Sequence, residues 1–402
     1  MDVVIIGAGQ AGVQVALSLR QLGHADGITV IGDEPHPPYQ RPPLSKAYLK
    51  GEMAADQLLL RPVAALESQH IQLRTGVRVT SIDPAAQTVT GSGLHLPYDR
   101  LVLATGTRPR PLPVPGGTMA GVLTLRGIAD ADRLATALST AQHVVIIGGG
   151  FIGLEAAATA RLKGASVTVV EQAPRVMARA VAPAVSDWFQ ALHRGMGTTV
   201  LTDTGVTALE GDRTVKAIRL ADGTRLPADL VLVGIGAVPN DDLARAAGLD
   251  CPNGIATDAL GRTGDPAIWA AGDCALTPNP HAGRPIRLES VQNAIDQAKT
   301  VAAAILGGER PYEAVPWFWS DQGTAKLQTT GLPLDPDRHV LRGTPAEGRF
   351  TVFHLKSGRI IAADSVNMPS DHMAARRLVA VRAVADPAAL ADTSLPLKSL
   401  LT

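Results

Sequence analysis

Two stretches, Gly7-Ala8-Gly9-Gln10-Ala11-Gly12 and Gly148-Gly149-Gly150-Phe151-Ile152-Gly153, repeat one spacing of three glycines. Each follows an apolar run, Val3 to Ile6 or Val144 to Ile147, and opens an alanine-rich segment. In that setting the first glycine permits a tight turn and the second lets backbone approach a pyrophosphate. The third packs helix on strand, and the helix N-terminus accepts the anion. Two turns imply two dinucleotides.

Carboxylates stand where such ligands need them. Glu171 closes the strand Ser166 to Val170, where an acid accepts hydrogen bonds from an adenosine ribose and repels a 2′-phosphate, favouring NADH over NADPH. Arg175 lies close enough to accommodate a phosphate instead. In the first unit Asp33 and Glu34 both fit the equivalent position, and spacing does not separate them. Glu155, inside the helix after the second turn, is a carboxylate that needs a partner if buried. Lys46 is the candidate, a cation able to stabilise charge developing on a reduced flavin ring. Asp273 follows a strand ending at Ala271-Gly272, a place where short acids meet ligand hydroxyls. Ser290 reads as the cap of a helix from Val291 to Leu306, whose positive end suits electron density on a flavin. Trp317 and Trp319 concentrate aromatic area in a chain that is 3% aromatic, which points to a flavin face or a protein interface.

The positioning elements follow from periodicity. A helix is expected over Val13 to Leu22 and strands over Ile28 to Ile31, Arg100 to Ala104 and Leu230 to Val233. The proline-rich segment His36 to Lys46 reads as an exposed or ligand-wrapping loop, and prolines 109, 111, 113 and 115 as a crossover between domains. After Pro311 the pattern changes to short strands (Lys326 to Thr330, Phe350 to Leu355, Arg359 to Val366) and one helix, Asp371 to Val381.

Composition narrows the classes. At 402 residues the chain suits two or three domains. Lys plus Arg and Asp plus Glu are both 37, so no global field draws it to nucleic acid or an anionic membrane. The cysteines, Cys251 and Cys274, form neither a disulfide framework nor a Cys-x-x-Cys pair, and Cys274 reads as a small buried residue. Histidines such as His36 and His70 show no metal-ligand spacing, so no metal site is expected. Neither a secretory signal nor a membrane span is apparent, which leads us to expect a cytoplasmic protein.

The order of motifs resembles the FAD-dependent, NADH-linked ferredoxin reductases of bacterial oxygenase systems, of the putidaredoxin-reductase and rubredoxin-reductase type. It rests on Gly7-Ala8-Gly9, Gly32-Asp33, Arg41-Pro42-Pro43-Leu44-Ser45-Lys46, Ala104-Thr105-Gly106-Thr107-Arg108-Pro109, Gly148 to Glu155, Gly234-Ile235-Gly236, Gly272-Asp273-Cys274 and Trp317 to Gln322. The sequence departs from that pattern at Gly323-Thr324-Ala325, which replaces bulkier residues. The resemblance implies an α/β fold: two Rossmann-like dinucleotide-binding domains, glutathione-reductase-like, plus a small α+β C-terminal domain. Residues 1–110 and 237–312 would bind FAD, 111–236 NAD, and 313–402 would form the third domain.

By the same resemblance Ala11, Asp33, Lys46, Val79, Arg126, Asp273 and Val291 contact FAD, which selects Asp33 over Glu34. Arg41, Ala104, Thr105, Gly106, Ile152 and Gly236 join the cofactor-binding residues already set by Gly7, Gly9, Gly12, Gly148, Gly150, Gly153 and Glu171. Glu155 would lie near the nicotinamide, paired with Lys46, and Trp319 by the flavin, making these three the catalytic candidates. The implied function is electron transfer from NADH through FAD to an iron–sulfur ferredoxin, expected to be acidic and [2Fe-2S], which feeds a cytochrome P-450 or ring-hydroxylating oxygenase. Arg284, Arg287, Arg310 and Lys326 could meet that acidic partner. An NADH oxidase or nitrite-reductase-like flavoprotein, or an apoptosis-inducing-factor-like NADH sensor, would share the same two cradles.

Overall fold

The computed structural model describes residues 1–401. The chain divides into two compact units. The first comprises Met1–Gln40, Ala55–Arg108 and Val238–Pro316, and the second Arg41–Ala54, Pro109–Ala237 and Trp317–Thr402.

The first unit is built on a five-stranded parallel sheet in the order Ile268–Ala270, Arg100–Leu103, Val3–Ile6, Ile28–Ile31, Ile71–Arg74. Val3–Ile6 and Ile28–Ile31 are buried at every position, as continuous β-branched runs require when both faces of a sheet are covered. One face packs in a common core with the helices Gln10–Gln21 and Val291–Ile305. The other meets the three-stranded antiparallel sheet Val79–Asp83, Thr88–Gly91, Leu94–Pro97. The strand at 268–270 thus returns the chain to the sheet that its first residues began.

The second unit repeats this plan. Its parallel sheet runs Thr199–Leu201, Ser166–Val170, His143–Ile147, Leu230–Val233, Val122–Leu123, covered on one face by the antiparallel strands Val206–Gly211, Val215–Leu220 and Arg225–Pro227. It also holds a five-stranded antiparallel sheet in the order Trp317–Gln322, Ala325–Gly331, Arg359–Val366, Arg349–Lys356, Arg338–Thr344, with the helix Pro369–Ala380. Arg41–Ala54 packs here and not with the first unit, where the expected boundaries would put it. Tyr48 Oη donates to Asp132 Oδ1 at 2.7 Å, tying this segment to the helix Ile128–Leu138. Among the described residues no helix is long and apolar enough to cross a membrane.

The departure at residues 323–325 has a local cause. Gln322 pairs with Ala325, so Gly323 and Thr324 form a two-residue hairpin, with φ +61° at Gly323 and no positive φ at Thr324. A hairpin of that type wants glycine first, where a side chain would be strained.

Both nucleotide-type turns depend on close backbone approach. A Cβ on Gly7 would fall 2.1 Å from the Ala104 carbonyl oxygen, and one on Gly12 1.9 Å from the Gly7 oxygen. At Gly9 it would meet nothing within 4 Å. We therefore expect Gly12→Ala to lower the unfolding temperature of the apoprotein markedly, and Gly9→Ala to shift stability by no more than ~1 kcal/mol. Thermal circular dichroism of the two variants checks the contrast; equal losses would contradict it.

Candidate functional site

In the first unit the residues expected to contact a cofactor gather around the Gly7–Gly12 turn. Ala104 and Thr105 lie against Gly7, and a Cβ on Gly272 would come within 2.9 Å of Ala11, which brings the Gly272-Asp273 loop to the same helix. That loop is held by Gln297, whose Oε1 accepts from Gly272 N at 2.8 Å, and by Arg287, which donates to the Asp273 carbonyl at 2.7 Å. Thr105 is fastened by its hydroxyl to the Asn240 carbonyl at 2.6 Å. Val79 is buried at the start of its strand. Ser290 caps the helix that begins at Val291, accepting from Asn293 N at 3.1 Å, as its position before the apolar run suggested.

Asp33 and Glu34 are distinguished by their partners. Glu34 accepts a 2.5 Å hydrogen bond from the Tyr39 hydroxyl. Asp33 is more than half exposed and makes one 3.4 Å contact with Arg78, leaving its carboxylate accessible to a ribose.

The fit to a dinucleotide can be judged from the turn itself. Gly9 is the N-cap of Gln10–Gln21 without a capping side chain, and the first turn of that helix carries no acid. Free N–H groups, a positive helix end and open space over Gly9 together suit a pyrophosphate.

The second unit repeats the cradle. Cβ atoms on Gly148 and Gly153 would fall 2.4 Å from the Gly234 and Gly148 carbonyl oxygens, whereas Gly150 and Gly236 have no neighbour within 4 Å. Gly150 caps Phe151–Leu162 without a side chain, and Ile152 is about half exposed at the start of that helix. Glu171 lies beside the turn: one carboxylate oxygen accepts from Gly149 N at 2.6 Å, the other from Ala173 N at 2.7 Å. Arg175 is committed elsewhere, donating to the carbonyls of Val181 and Ala178 and to Ser186 Oγ at 2.7–2.8 Å. Its burial holds the guanidinium below its ordinary pKa.

Glu155 is 3% exposed, and three donors from two separate stretches of chain meet it. Lys46 Nζ forms an ion pair with Oε2 at 2.8 Å, and Ser45 Oγ donates to the same oxygen at 2.5 Å. Ser320 Oγ donates to Oε1 at 2.6 Å. Ser45 and Lys46 are delivered by the short 3-10 helix Pro42–Ser45, which lies within the proline-rich loop, and the turn after it. Arg41, at the head of that helix, donates to the Arg126 carbonyl at 2.9 Å, and Arg126 N in turn donates to Asp130.

The segment Trp317–Gln322, not anticipated as a strand, is one, and its alternation sorts its side chains. Trp317, Trp319 and Asp321 share one face; Phe318, Ser320 and Gln322 share the other. Phe318 packs against Phe151 with ring centroids 4.6 Å apart and the rings tilted by 42°. Trp317 is packed against His372 and under the Arg376 guanidinium, 4.9 Å from its ring centroid. Trp319 is half-buried, its ring 5.7 Å from that of Trp317. Sequence reasoning missed Ser45 and Ser320 as partners of Glu155, and no local pattern marks either.

Arg287 corrects one expectation. It is drawn in against Asp273 and Glu289 with its side chain 10% exposed, and so offers no charge to a partner; Arg284, Arg310 and Lys326 are exposed. Both cysteines are buried, and burial pushes the Cys251 thiol up to about 11 and the Cys274 thiol up as well, so neither is a ready nucleophile.

Because breaking a buried ion pair strands the remaining charge, Lys46→Met should cost about 3 kcal/mol of stability. Lys46→Met combined with Glu155→Leu should cost less than the two changes summed. Denaturant unfolding of the single and double variants measures this, and simple additivity would contradict it.

The model of the pyridine nucleotide-disulphide oxidoreductase family matches residues 1–298, and that of the reductase C-terminal domain residues 317–401. Rhodocoxin reductase of Rhodococcus erythropolis is 45% identical over 400 residues, covering 99% of this chain and 94% of that protein. The crystal structure of the ferredoxin reductase for the CYP199A2 system from Rhodopseudomonas palustris superposes with a TM-score of 0.97 at 45% identity, covering all of both chains. The reductase in the covalent putidaredoxin reductase–putidaredoxin complex gives 0.96 at 44%, covering 100% and 98%. With two glycine cradles, an α/β body for each and this extent of similarity, the chain belongs to the pyridine nucleotide-disulphide oxidoreductase family, in the form that carries a reductase C-terminal domain.

Proposed function

We propose that the chain is a cytoplasmic NADH-dependent ferredoxin reductase that passes electrons through FAD to an acidic [2Fe-2S] ferredoxin serving an oxygenase. The observation that carries this is the pair of dinucleotide cradles in a chain whose two cysteines are buried thiols. A family member that reduces disulfides needs a reactive cysteine; one that hands electrons to an iron–sulfur protein does not. The names of the relatives support the same reading, since they are ferredoxin, rhodocoxin and putidaredoxin reductases.

We assign FAD to the first unit, with Gly9 and the helix end under the pyrophosphate, Asp33 at a ribose and Asp273 and Val291 toward the flavin. NADH is assigned to the second turn, and residues 317–401 form a further domain. What the flavin supplies when bound is conversion between two-electron hydride traffic and single-electron traffic. Lys46, Glu155 and Trp319 are the groups we assign to the hydride-transfer region. Lys46 offers its charge where electron density builds, Glu155 holds the ammonium in place, and Trp319 excludes water.

NADH preference follows from Glu171 and Arg175 together. A carboxylate pinned by two backbone N–H groups opposes a 2′-phosphate, and the arginine that could have met that phosphate is engaged by the Val181 and Ala178 carbonyls and by Ser186. Glu171→Ala should therefore raise the kcat/KM ratio of NADPH to NADH by about tenfold, ~1.4 kcal/mol of discrimination. A wild-type enzyme indifferent between the two would contradict the assignment.

The function itself is tested by mixing the yellow holoprotein with NADH under anaerobic conditions, then adding a [2Fe-2S] ferredoxin and cytochrome c. Flavin bleaching followed by ferredoxin-dependent cytochrome reduction is expected, slowing as ionic strength rises because Arg284, Arg310 and Lys326 are exposed cations. Rapid oxygen or nitrite consumption without ferredoxin, or slow reduction ending in a persistent charge-transfer complex without turnover, would overturn it.

A further inference from the structure

The donors around Glu155 are unevenly shared. Lys46 and Ser45 both address Oε2, while Ser320 addresses Oε1. The last torsion of a glutamate is broad and weakly held by its own covalent geometry. Two donors on one oxygen anchor that oxygen and leave the carboxylate plane free to swing about it. A donor on the other oxygen stops the swing.

Whether Ser320 donates or accepts there depends on what lies behind it. Its hydroxyl has one proton and two acceptor sites. Gln322, two residues along the same strand face, places Nε2 3.2 Å from Ser320 Oγ and 3.6 Å from Met177 Sδ. Its other end, Oε1, lies 2.9 Å from His193 Nε2. His193 is fully buried on the helix Pro183–Gly195, and burial holds it below the usual histidine pKa, which favours the neutral ring. A neutral imidazole carries one N–H. Nδ1 of His193 is buried with no hydrogen-bond partner among the described residues, so the proton belongs on Nε2, facing the glutamine oxygen. The amide is thereby oriented with its N–H toward Ser320, which fills an acceptor site there and leaves the serine proton for Glu155. The opposite amide orientation would offer Ser320 a carbonyl and divert that proton.

We infer that Ser320 is a positioning residue for Glu155 in hydride transfer, its hydroxyl aimed by Gln322 and His193. This rests on the assignment of Glu155 to the hydride-transfer region made above. All four residues and Lys46 lie in the second unit, so the chain of bonds His193 to Gln322 to Ser320 to Glu155 runs from the helix Pro183–Gly195, through the C-terminal sheet, to the ion pair.

The test compares Ser320→Ala, Ser320→Cys and Ser320→Thr as holoenzymes. In stopped-flow reduction of the flavin by NADH, Ser320→Ala and Ser320→Cys should lower the limiting rate about tenfold, the scale of a lost hydrogen bond to a charged group, while the NADH Kd stays within about twofold. Ser320→Thr, which keeps a hydroxyl, should recover most of the rate, and Gln322→Leu should fall in the same direction by less. Independently of turnover, the drop in holoprotein unfolding temperature caused by Ser320→Ala should shrink in a Glu155→Leu background. Wild-type limiting rates in both Ser320→Ala and Ser320→Cys, with a large loss in Glu155→Gln, would overturn the inference. Undiminished flavin reduction in Glu155→Gln would instead sink the assignment of Glu155, and the unfolding-temperature comparison would still decide whether Ser320 holds it.

Discussion

A carboxylate removed almost entirely from water does not stay there unless donors replace the water it lost, and the arrangement around Glu155 is a consequence of that requirement. An ammonium alone would balance the charge but not the four lone-pair directions of the two oxygens. Serine hydroxyls add two further donors, one from the stretch that also carries the lysine and one from a strand more than 150 residues later in the chain. This explains why Arg41–Ala54 packs with the second unit: its 3-10 turn exists to present Ser45 and Lys46 together, and Tyr48 then fastens it to the helix Ile128–Leu138.

The two cradles share a geometry and differ in their acids. In each, a glycine lies against the end of a neighbouring strand, Ala104 in one and Gly234 in the other, and a later glycine lies against the first. What changes is the residue after the second strand. Asp33 is exposed and loosely held, whereas Glu171 is locked to the turn by Gly149 N and Ala173 N. The same fold element thus holds its acid in two different ways, one carboxylate left accessible and one fixed to the backbone of the turn.

Much of this was legible in the sequence where one physical rule dominated. Val3–Ile6, Ile28–Ile31, Ser166–Val170, Leu230–Val233 and Arg359–Val366 have the bounds expected from the sequence, since each is dominated by apolar and β-branched residues. The first helix starts at Gln10, three residues before the expected Val13, because the glycine turn leads into it directly. Lys46 was a reasonable partner for Glu155 on charge alone. Ser45, Ser320 and Gln322 were not legible, since serine and glutamine are ordinary surface residues and only tertiary pairing gives them a buried acid or imidazole to meet. The small antiparallel sheets, such as Val79–Asp83 with Thr88–Gly91, were missed because short strands with one wet face carry too few apolar residues to register a period. Arg287 was misjudged for the converse reason: charge suggests exposure, yet Asp273 and Glu289 hold it inward.

The strand Trp317–Gln322 carries its two tryptophans on one side, and Phe318 with the polar bonds to Glu155 and His193 on the other. Since neighbouring residues on a strand point oppositely, gaining or losing one residue here would present tryptophan to the buried acid and serine to the outside. The number of residues between Pro316 and the Gly323 hairpin is therefore fixed by the demands of both faces at once.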